Sequence, residues 1–435
     1  MTNNKKAKLL ALVSIVFFSV SGGPYGLEEI ISSVGPLNSL LLIVLLPIIW
    51  TIPETMIVAE LASSYPIQGG YYRWVQISMG RFWGFMEGWW STLYTLIDLS
   101  LYPILFGTYL KILFPSIDSH SIYFIQLIMI WSCAIINILG IRAVGSILTS
   151  FQIFILLSFA IFIILGMNHL SFDFSSVLNS HHTPTCKEML LGLSIAFWNF
   201  IGWDNGSTVL HEVDNPRMNY HKALFICIPI IAFFYFFPTL VGVCIHTDWQ
   251  SWKFGEFTFI ANSMGYPILG TVLAVGGLLT SLGLFNSMLL SSTRIIMTLA
   301  EDKLLPSVLS LVHSKYQTPH IAIIFAALAY SVLILYGFET LIGYDVFLYL
   351  IAILLEAIAL VILRKRNPDI HSYFKIPFGL FGVYFVVGVV SLVVLFMVVI
   401  NFSTFHGDLR TSFLTAFLMF SGVPIYFWYE KLRER

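Results

Sequence analysis

About twelve apolar runs, most of them long enough to cross a hydrocarbon layer, decide what this chain can fold into. A helix needs roughly 20 apolar residues to span such a layer, and it is the only open structure that satisfies its own backbone in lipid. The runs cover approximately 9–33, 37–64, 82–110, 122–139, 145–166, 189–211, 223–245, 268–299, 321–336, 347–363, 380–400 and 412–428. Charged residues make up only 10% of the chain, against about a quarter in a soluble domain. The expected class is an all-α polytopic membrane protein with about 12 transmembrane helices. Lys5-Lys6-Ala7-Lys8 ahead of an apolar run has the look of a signal peptide. No small-residue cleavage site follows, so the run is read as the first span.

Charge placement tests the count. With the N-terminus in the cytoplasm, 18 of the 22 Lys and Arg residues fall in inner segments. Only Lys111, Lys187, Lys253 and Arg410 fall outside. A wrong number of spans scrambles that alternation. The expectation is therefore a plasma (cytoplasmic or inner) membrane protein with both termini cytoplasmic. The segment 167–188 reads as a polar outer loop, and His181-His182 within it as solvated rather than metal-binding. The four cysteines form no CxxC pair, so neither a disulfide framework nor a metal site is expected.

Two spans are interrupted. The first carries Ser21-Gly22-Gly23-Pro24-Tyr25-Gly26 in its middle, and three glycines with a proline oppose a continuous helix. The sixth carries Asn199-Phe200-Ile201-Gly202-Trp203-Asp204-Asn205-Gly206. Unwound backbone at membrane depth is tolerated where it lines a cavity or binds a ligand. Paired interruptions in two halves point to a transporter's binding site. They open spans 1–5 and 6–10, which suggests two five-helix repeats, inverted because five is odd, plus two further helices. The same glycines also permit close helix packing.

Carboxylates sit in the spans without a Lys or Arg at similar depth: Glu28, Glu29, Glu54, Asp98, Asp204 and Glu356. A charge at the bilayer centre costs roughly 2.5–3.5 kcal/mol on insertion scales. Acids without a basic partner must hold a proton or meet a visiting cation. Asp204 has two readings, contact with a solute amine flanked by Trp198 and Trp203, or a cap on the following half-helix. Asp98 is mid-span and reads as a cation or proton site. Glu28 and Glu29 fall in the first turn after the first break, where they either face a cation or satisfy their own half-helix. Glu54, Asp98 and Glu356 are the proton-site candidates, with Asp345 a further one near the outer end of its span. Glu60 and Glu87 lie closer to the cytoplasm and are expected to partner Arg73 or Arg81. Thr280, Ser281, Asn286 and Ser287 offer sodium ligands, although membrane hydroxyls more often bond their own helix.

Together these segments resemble the amino acid–polyamine–organocation (APC) superfamily, in particular its plant and protozoan polyamine and amino-acid permeases. The resemblance is carried by Ser21 to Glu29, Trp50-Thr51-Ile52-Pro53-Glu54, Ala59-Glu60, Gly69-Gly70-Tyr71, Trp74-Val75, Ile97-Asp98 and Leu101-Tyr102-Pro103. It continues through Phe197-Trp198-Asn199, Trp203-Asp204, Glu212-Val213, Asn215-Pro216, Phe347-Leu348-Tyr349, Leu355-Glu356 and Lys375-Ile376-Pro377-Phe378-Gly379. A Glu stands at position 87 where the family usually has Gln. The resemblance implies a five-plus-five inverted-repeat fold and, usually, proton coupling.

The expected organisation is a cytoplasmic N-terminus (1–8), a first repeat (9–166), the outer loop (167–188), a second repeat (189–363), and helices 11 and 12 with a cytoplasmic C-terminus (364–435). The expected activity is secondary active transport of an amino acid or polyamine, a cationic amine favoured, with a proton ahead of sodium as the coupling ion. Backbone around Ser21, Gly22, Gly23, Pro24, Tyr25 and Gly26, and around Asn199–Gly206, would cradle the solute. Glu28, Glu29, Asp98 and Asp204 would face its ammonium groups, and Trp198 and Trp203 would wall it. A zwitterionic amino-acid exchanger is the alternative, with a passive channel or a polytopic membrane enzyme more remote. No HExxH spacing and no GxxxxGK[ST] phosphate loop occur. The partner is a lipid bilayer; no cofactor, metal or nucleic-acid partner is expected.

Overall fold

The computed structural model describes residues 6–170, 172–178, 182–335, 338–405 and 417–433. Among them the architecture is all-helical: α1 (Leu9–Val20), α2 (Glu28–Val34), α3 (Pro36–Leu46), α4 (Ile52–Ser64), α5 (Gly70–Met79), α6 (Arg81–Leu113), α7 (Ser119–Leu139), α8 (Ile141–Met167), α9 (Ser175–Leu178), α10 (Cys186–Trp198), α11 (Pro216–Ile245), α12 (Glu256–Ser263), α13 (Pro267–Glu301), α14 (His320–Leu333), α15 (Phe338–Arg366), α16 (Gly379–Phe405) and α17 (Gly422–Arg433). A π-helical turn, Pro47–Thr51, joins α3 to α4 without a break, and a 3₁₀ segment, Asn205–Glu212, follows α10. Pro47 and Pro53 bracket that π turn, where each proline denies the ladder an N–H donor.

Among the described residues, eight helices are long and apolar enough to cross a membrane, with two shorter apolar helices, Leu9–Val20 and His320–Leu333. The difference from about twelve has local causes. The runs 9–33 and 189–211 each break in the middle, so no single helix in them reaches spanning length. The run 321–336 yields only the 14 residues of α14. The run 412–428 begins outside the described residues.

Burial is graded across the helices. The spanning windows of α15 and α13 are 67% and 61% buried, against 33% for α7 and for α16. Helix α13 carries a run of buried polar residues from Thr280 to Thr298, α15 buries Asp345 and Glu356, and α13 packs on α6, α8 and α1. The outer helices leave Phe124, Ile128 and Ile135 of α7, and Phe385, Leu392 and Phe396 of α16, exposed. Such apolar stripes suit contact with acyl chains. The two broken segments therefore sit among enclosed helices rather than at the rim.

Candidate functional site

The first break follows from its glycines. Gly22, Gly23 and Gly26 have φ of 67°, 105° and 98°, which residues with a Cβ rarely adopt. The backbone groups freed between α1 and α2 find side-chain partners. Thr280 Oγ1 donates to the Gly22 carbonyl at 2.6 Å, and Gly23 N–H donates to Ser21 Oγ at 3.0 Å. Gly26 N–H donates to Glu28 Oε2 at 2.8 Å, and Leu27 N–H to the Pro24 carbonyl at 3.4 Å. Tyr25 stacks edge-on against Tyr109 and Phe159 and donates to the Leu273 carbonyl at 2.6 Å.

The second break begins where α10 stops at Trp198. Asn199 Nδ2 still bonds back to the Ile195 carbonyl, while its own carbonyl accepts from Tyr235 Oη at 2.9 Å. Gly202 has φ of 98°, and a Cβ there would lie 2.2 Å from the Ser19 carbonyl oxygen. Only glycine lets the two broken segments touch at this point.

A small cavity lies where they meet, against α6, α13 and α15. Its volume is about 10 Å³, room for roughly one water. Asp98, Trp198, Tyr102, Tyr349 and Asp345 are among its lining residues. Tyr102 Oη donates to Asp98 Oδ2 at 2.6 Å, and Trp198 Nε1 donates to Asp98 Oδ1 at 2.9 Å. The Tyr102 and Trp198 rings stack 6.1 Å apart. Asp98 is buried, and no Lys, Arg or His pairs with it among the described residues.

Behind the cavity lies a second group of acids. Glu54, Glu87, Asp204 and Glu356 are all buried, and the three glutamates each lie within electrostatic reach of Asp204. Tyr349 joins this group to the cavity. Its phenol oxygen contacts the Glu54 carboxyl and Asp204 Oδ1, the latter at 2.7 Å, and accepts from Gly202 N–H at 3.0 Å. No basic residue pairs with any of the four among the described residues.

Several expectations are relocated by this geometry. Glu28 does not line the cavity. Its Oε1 accepts from Tyr109 Oη and Gly255 N–H while Oε2 holds Gly26 N–H, so the carboxyl ties its own half-helix to the approach to α12. Glu29 is half-buried on the same turn, its carbonyl bonded by Ser33. Trp203 is fully buried with Nε1 on the Phe200 carbonyl, and neither it nor Asp204 lines the cavity. The Asp204 side chain does not cap the 3₁₀ segment. Glu60 bonds Arg364 and Ile376 N–H rather than Arg73 or Arg81. Arg73 pairs with Asp302 and Arg81 with Glu430. Glu87 joins the acid group, its Oε1 accepting from Ser91. Thr280, Ser281 and Ser287 donate to the carbonyls of Gly22, Gly277 and Ile15, and Asn286 Nδ2 to that of Leu282. His181 lies outside the described residues.

Tyr349 and the placement of Asp345 were not singled out from the sequence as parts of this site. The signal was present: 345, 349 and 356 are spaced by four and seven residues, which puts them on one face of α15.

The comparisons with known proteins agree with the membrane architecture. The profile of a family described as amino acid permease matches residues 9–423. Polyamine transporter RMV1 of Arabidopsis thaliana is 33% identical over 381 residues, covering 87% of this chain and 77% of the relative. Polyamine transporter PUT1 of Oryza sativa subsp. japonica is 31% identical over 380 residues, 87% and 71% of the two chains. The serine/threonine exchanger SteT of Bacillus subtilis (strain 168) is 26% identical over 398 residues, 88% and 86%. With its spanning helices and a family match over nearly its whole length, this multi-pass membrane protein belongs to the amino acid permease family of the APC superfamily.

Proposed function

We propose that this chain is a secondary active transporter of a cationic amine, a polyamine in the first place, driven by protons through alternating access. One observation carries the reading. Asp98 is held by Tyr102 and Trp198 in a small cavity beside both breaks, with no basic partner among the described residues. A buried carboxylate in that position favours a cation, and the stacked Trp198 and Tyr102 add aromatic attraction. The cavity's volume of about 10 Å³ is too small for a whole solute, so entry requires the broken segments to move apart.

The Tyr349 contacts support protons as the coupling ion. A phenol carries one hydrogen, yet its oxygen meets two carboxyls. One of Glu54 and Asp204 therefore holds a proton of its own and donates it to Tyr349. Glu54, Asp98 and Glu356 are the groups whose proton traffic would couple to solute movement. The arrangement we favour is two inverted five-helix repeats, 9–166 and 189–363, within about twelve spans. Both termini would be cytoplasmic and the protein would lie in the plasma membrane.

A zwitterionic amino-acid exchanger is the second reading, and its relatives include SteT, named a serine/threonine exchanger. It would seat a carboxylate on N–H groups after Gly26. Gly26 N–H is already bonded by Glu28, and that resident carboxyl repels a second one. Proteoliposomes with an imposed pH gradient test the choice. Saturable, counterflow-accelerated uptake of putrescine or spermidine is expected. Block by neutral amino acids with none by either amine refutes the amine reading.

A further inference from the structure

Asp345 is the buried carboxyl that the bonding pattern leaves open. It is 0% exposed and lines the same cavity as Asp98, and neither of its oxygens has a hydrogen-bond partner among the described residues. It lies within electrostatic reach of Asp98. Leaving a buried acceptor without a donor is costly, and here two acceptors of one carboxyl are left on a cavity wall. Asn205 repeats the pattern from another element. It lines the cavity, its Oδ1 accepts from Tyr94 Oη at 2.8 Å, and its Nδ2 has no partner among the described residues.

Resting on the amine reading above, we infer that Asp345 and Asp98 together clamp one primary ammonium group of the solute. Three features match. The cavity has the volume of about one water, and a primary ammonium head is close to that size. Such a head carries three N–H donors, and Asp345 supplies two unengaged oxygens. Asp98 supplies the third acceptor, since each of its oxygens accepts only one bond and retains a lone pair. Trp198 and Tyr102 fix the Asp98 carboxyl in place, so it is a rigid wall, whereas Asp345 gains its bonds only when the ammonium arrives. Two carboxylates on one head also select against bulk: methyl groups on the nitrogen remove donors and exceed the space.

The test uses the full chain in proteoliposomes with labelled putrescine, and N,N,N′,N′-tetramethylputrescine as competitor. Wild type is expected to prefer putrescine by at least about tenfold, the scale of charge-assisted hydrogen bonds lost on methylation. Asp345→Asn should raise the putrescine KM by about tenfold or more and shrink that preference to within about threefold. Asp345→Glu, which keeps the charge, should retain most of the preference. A merely structural role would lower maximal uptake without altering the ratio of the two amines. Should Asp345→Asn fail to fold, the ratio in Asp345→Glu and in wild type still decides, because a wild type indifferent to methylation overturns the clamp. Putrescine uptake with an unchanged KM and ratio in Asp345→Asn overturns the clamp and leaves the amine reading standing. Wild-type uptake of neutral amino acids alone overturns the amine reading itself.

Discussion

Replacing Tyr349 by Phe removes one oxygen and little else. Phe keeps the ring, which meets Tyr94 edge-on with centroids 5.2 Å apart, so no cavity opens. Three groups lose their partner at that oxygen: the Gly202 N–H, the Glu54 carboxyl and Asp204 Oδ1. Each buried polar group left unsatisfied costs about 1–3 kcal/mol. The two carboxyls recover part of the loss by sharing the proton that one of them already holds, which leaves a net of about 3 kcal/mol. If that cost falls on the transport cycle, the rate drops by about a hundredfold. The informative comparison is between two modes of uptake into proteoliposomes. Counterflow, with labelled putrescine outside and excess unlabelled putrescine inside, needs no net proton movement, while accumulation against a gradient does. Tyr349→Phe should abolish most proton-driven accumulation and spare counterflow to within about tenfold. Parallel loss of both modes would make the phenol a scaffold only. No loss of either would show that the two acid groups do not communicate through it.

Other substitutions test the supporting structure. Arg364→Met removes the partner of a buried carboxyl, Glu60, which is 2% exposed; the cost should be about 3–5 kcal/mol by equilibrium unfolding in mixed micelles. Adding Glu60→Gln should restore most of it. Gly202→Ala forces a Cβ to 2.2 Å from the Ser19 carbonyl at a positive φ, and should lower the yield of folded protein steeply. Gly388→Ala, with nothing within 4 Å of its Cβ, should leave yield unchanged. Glu28→Gln keeps one acceptor oxygen where two are used. It should destabilise by about 1–3 kcal/mol yet leave the order of preferred amines as it was; a changed order would place Glu28 at the solute after all.

The membrane class and both interruptions were legible because they rest on short-range rules. Apolar length is read directly, and the glycines at 22, 23, 26 and 202 adopt the positive φ that only their missing Cβ allows freely. Partnerships were less legible because they join positions far apart in the chain. Glu60 meets Arg364 across 304 residues and Arg73 meets Asp302 across 229, and sequence proximity favoured the wrong bases for Glu60. Depth along a span also misled. Asp345 reads as peripheral because it lies at the outer end of its span, just ahead of the run 347–363, yet it lines the cavity. Trp203 and Trp198 read as equivalent walls, but the unwound turn between them sends Trp203 into packing and leaves Trp198 on the cavity.

The distribution of ion pairs bears on the role proposed for the central acids. Four arginines are each held by a fixed carboxylate: Arg73 by Asp302, Arg81 by Glu430, Arg294 by Glu212 and Arg364 by Glu60. Each of these carboxyls offsets a fixed base, so no proton or solute is needed to hold it. The central acids are built differently. Asp98 is satisfied by neutral donors, Tyr102 and Trp198, and Glu54 and Asp204 share Tyr349. Neutral donors stabilise a carboxylate without cancelling its charge, which leaves an electrostatic demand that only a mobile cation meets. A fixed arginine introduced at this depth would cancel that demand permanently. Met288 lines the same cavity as Asp98, so Met288→Arg should give a protein that folds and no longer binds amines, read by loss of putrescine-induced thermal stabilisation. Retained stabilisation would mean that the solute is held elsewhere.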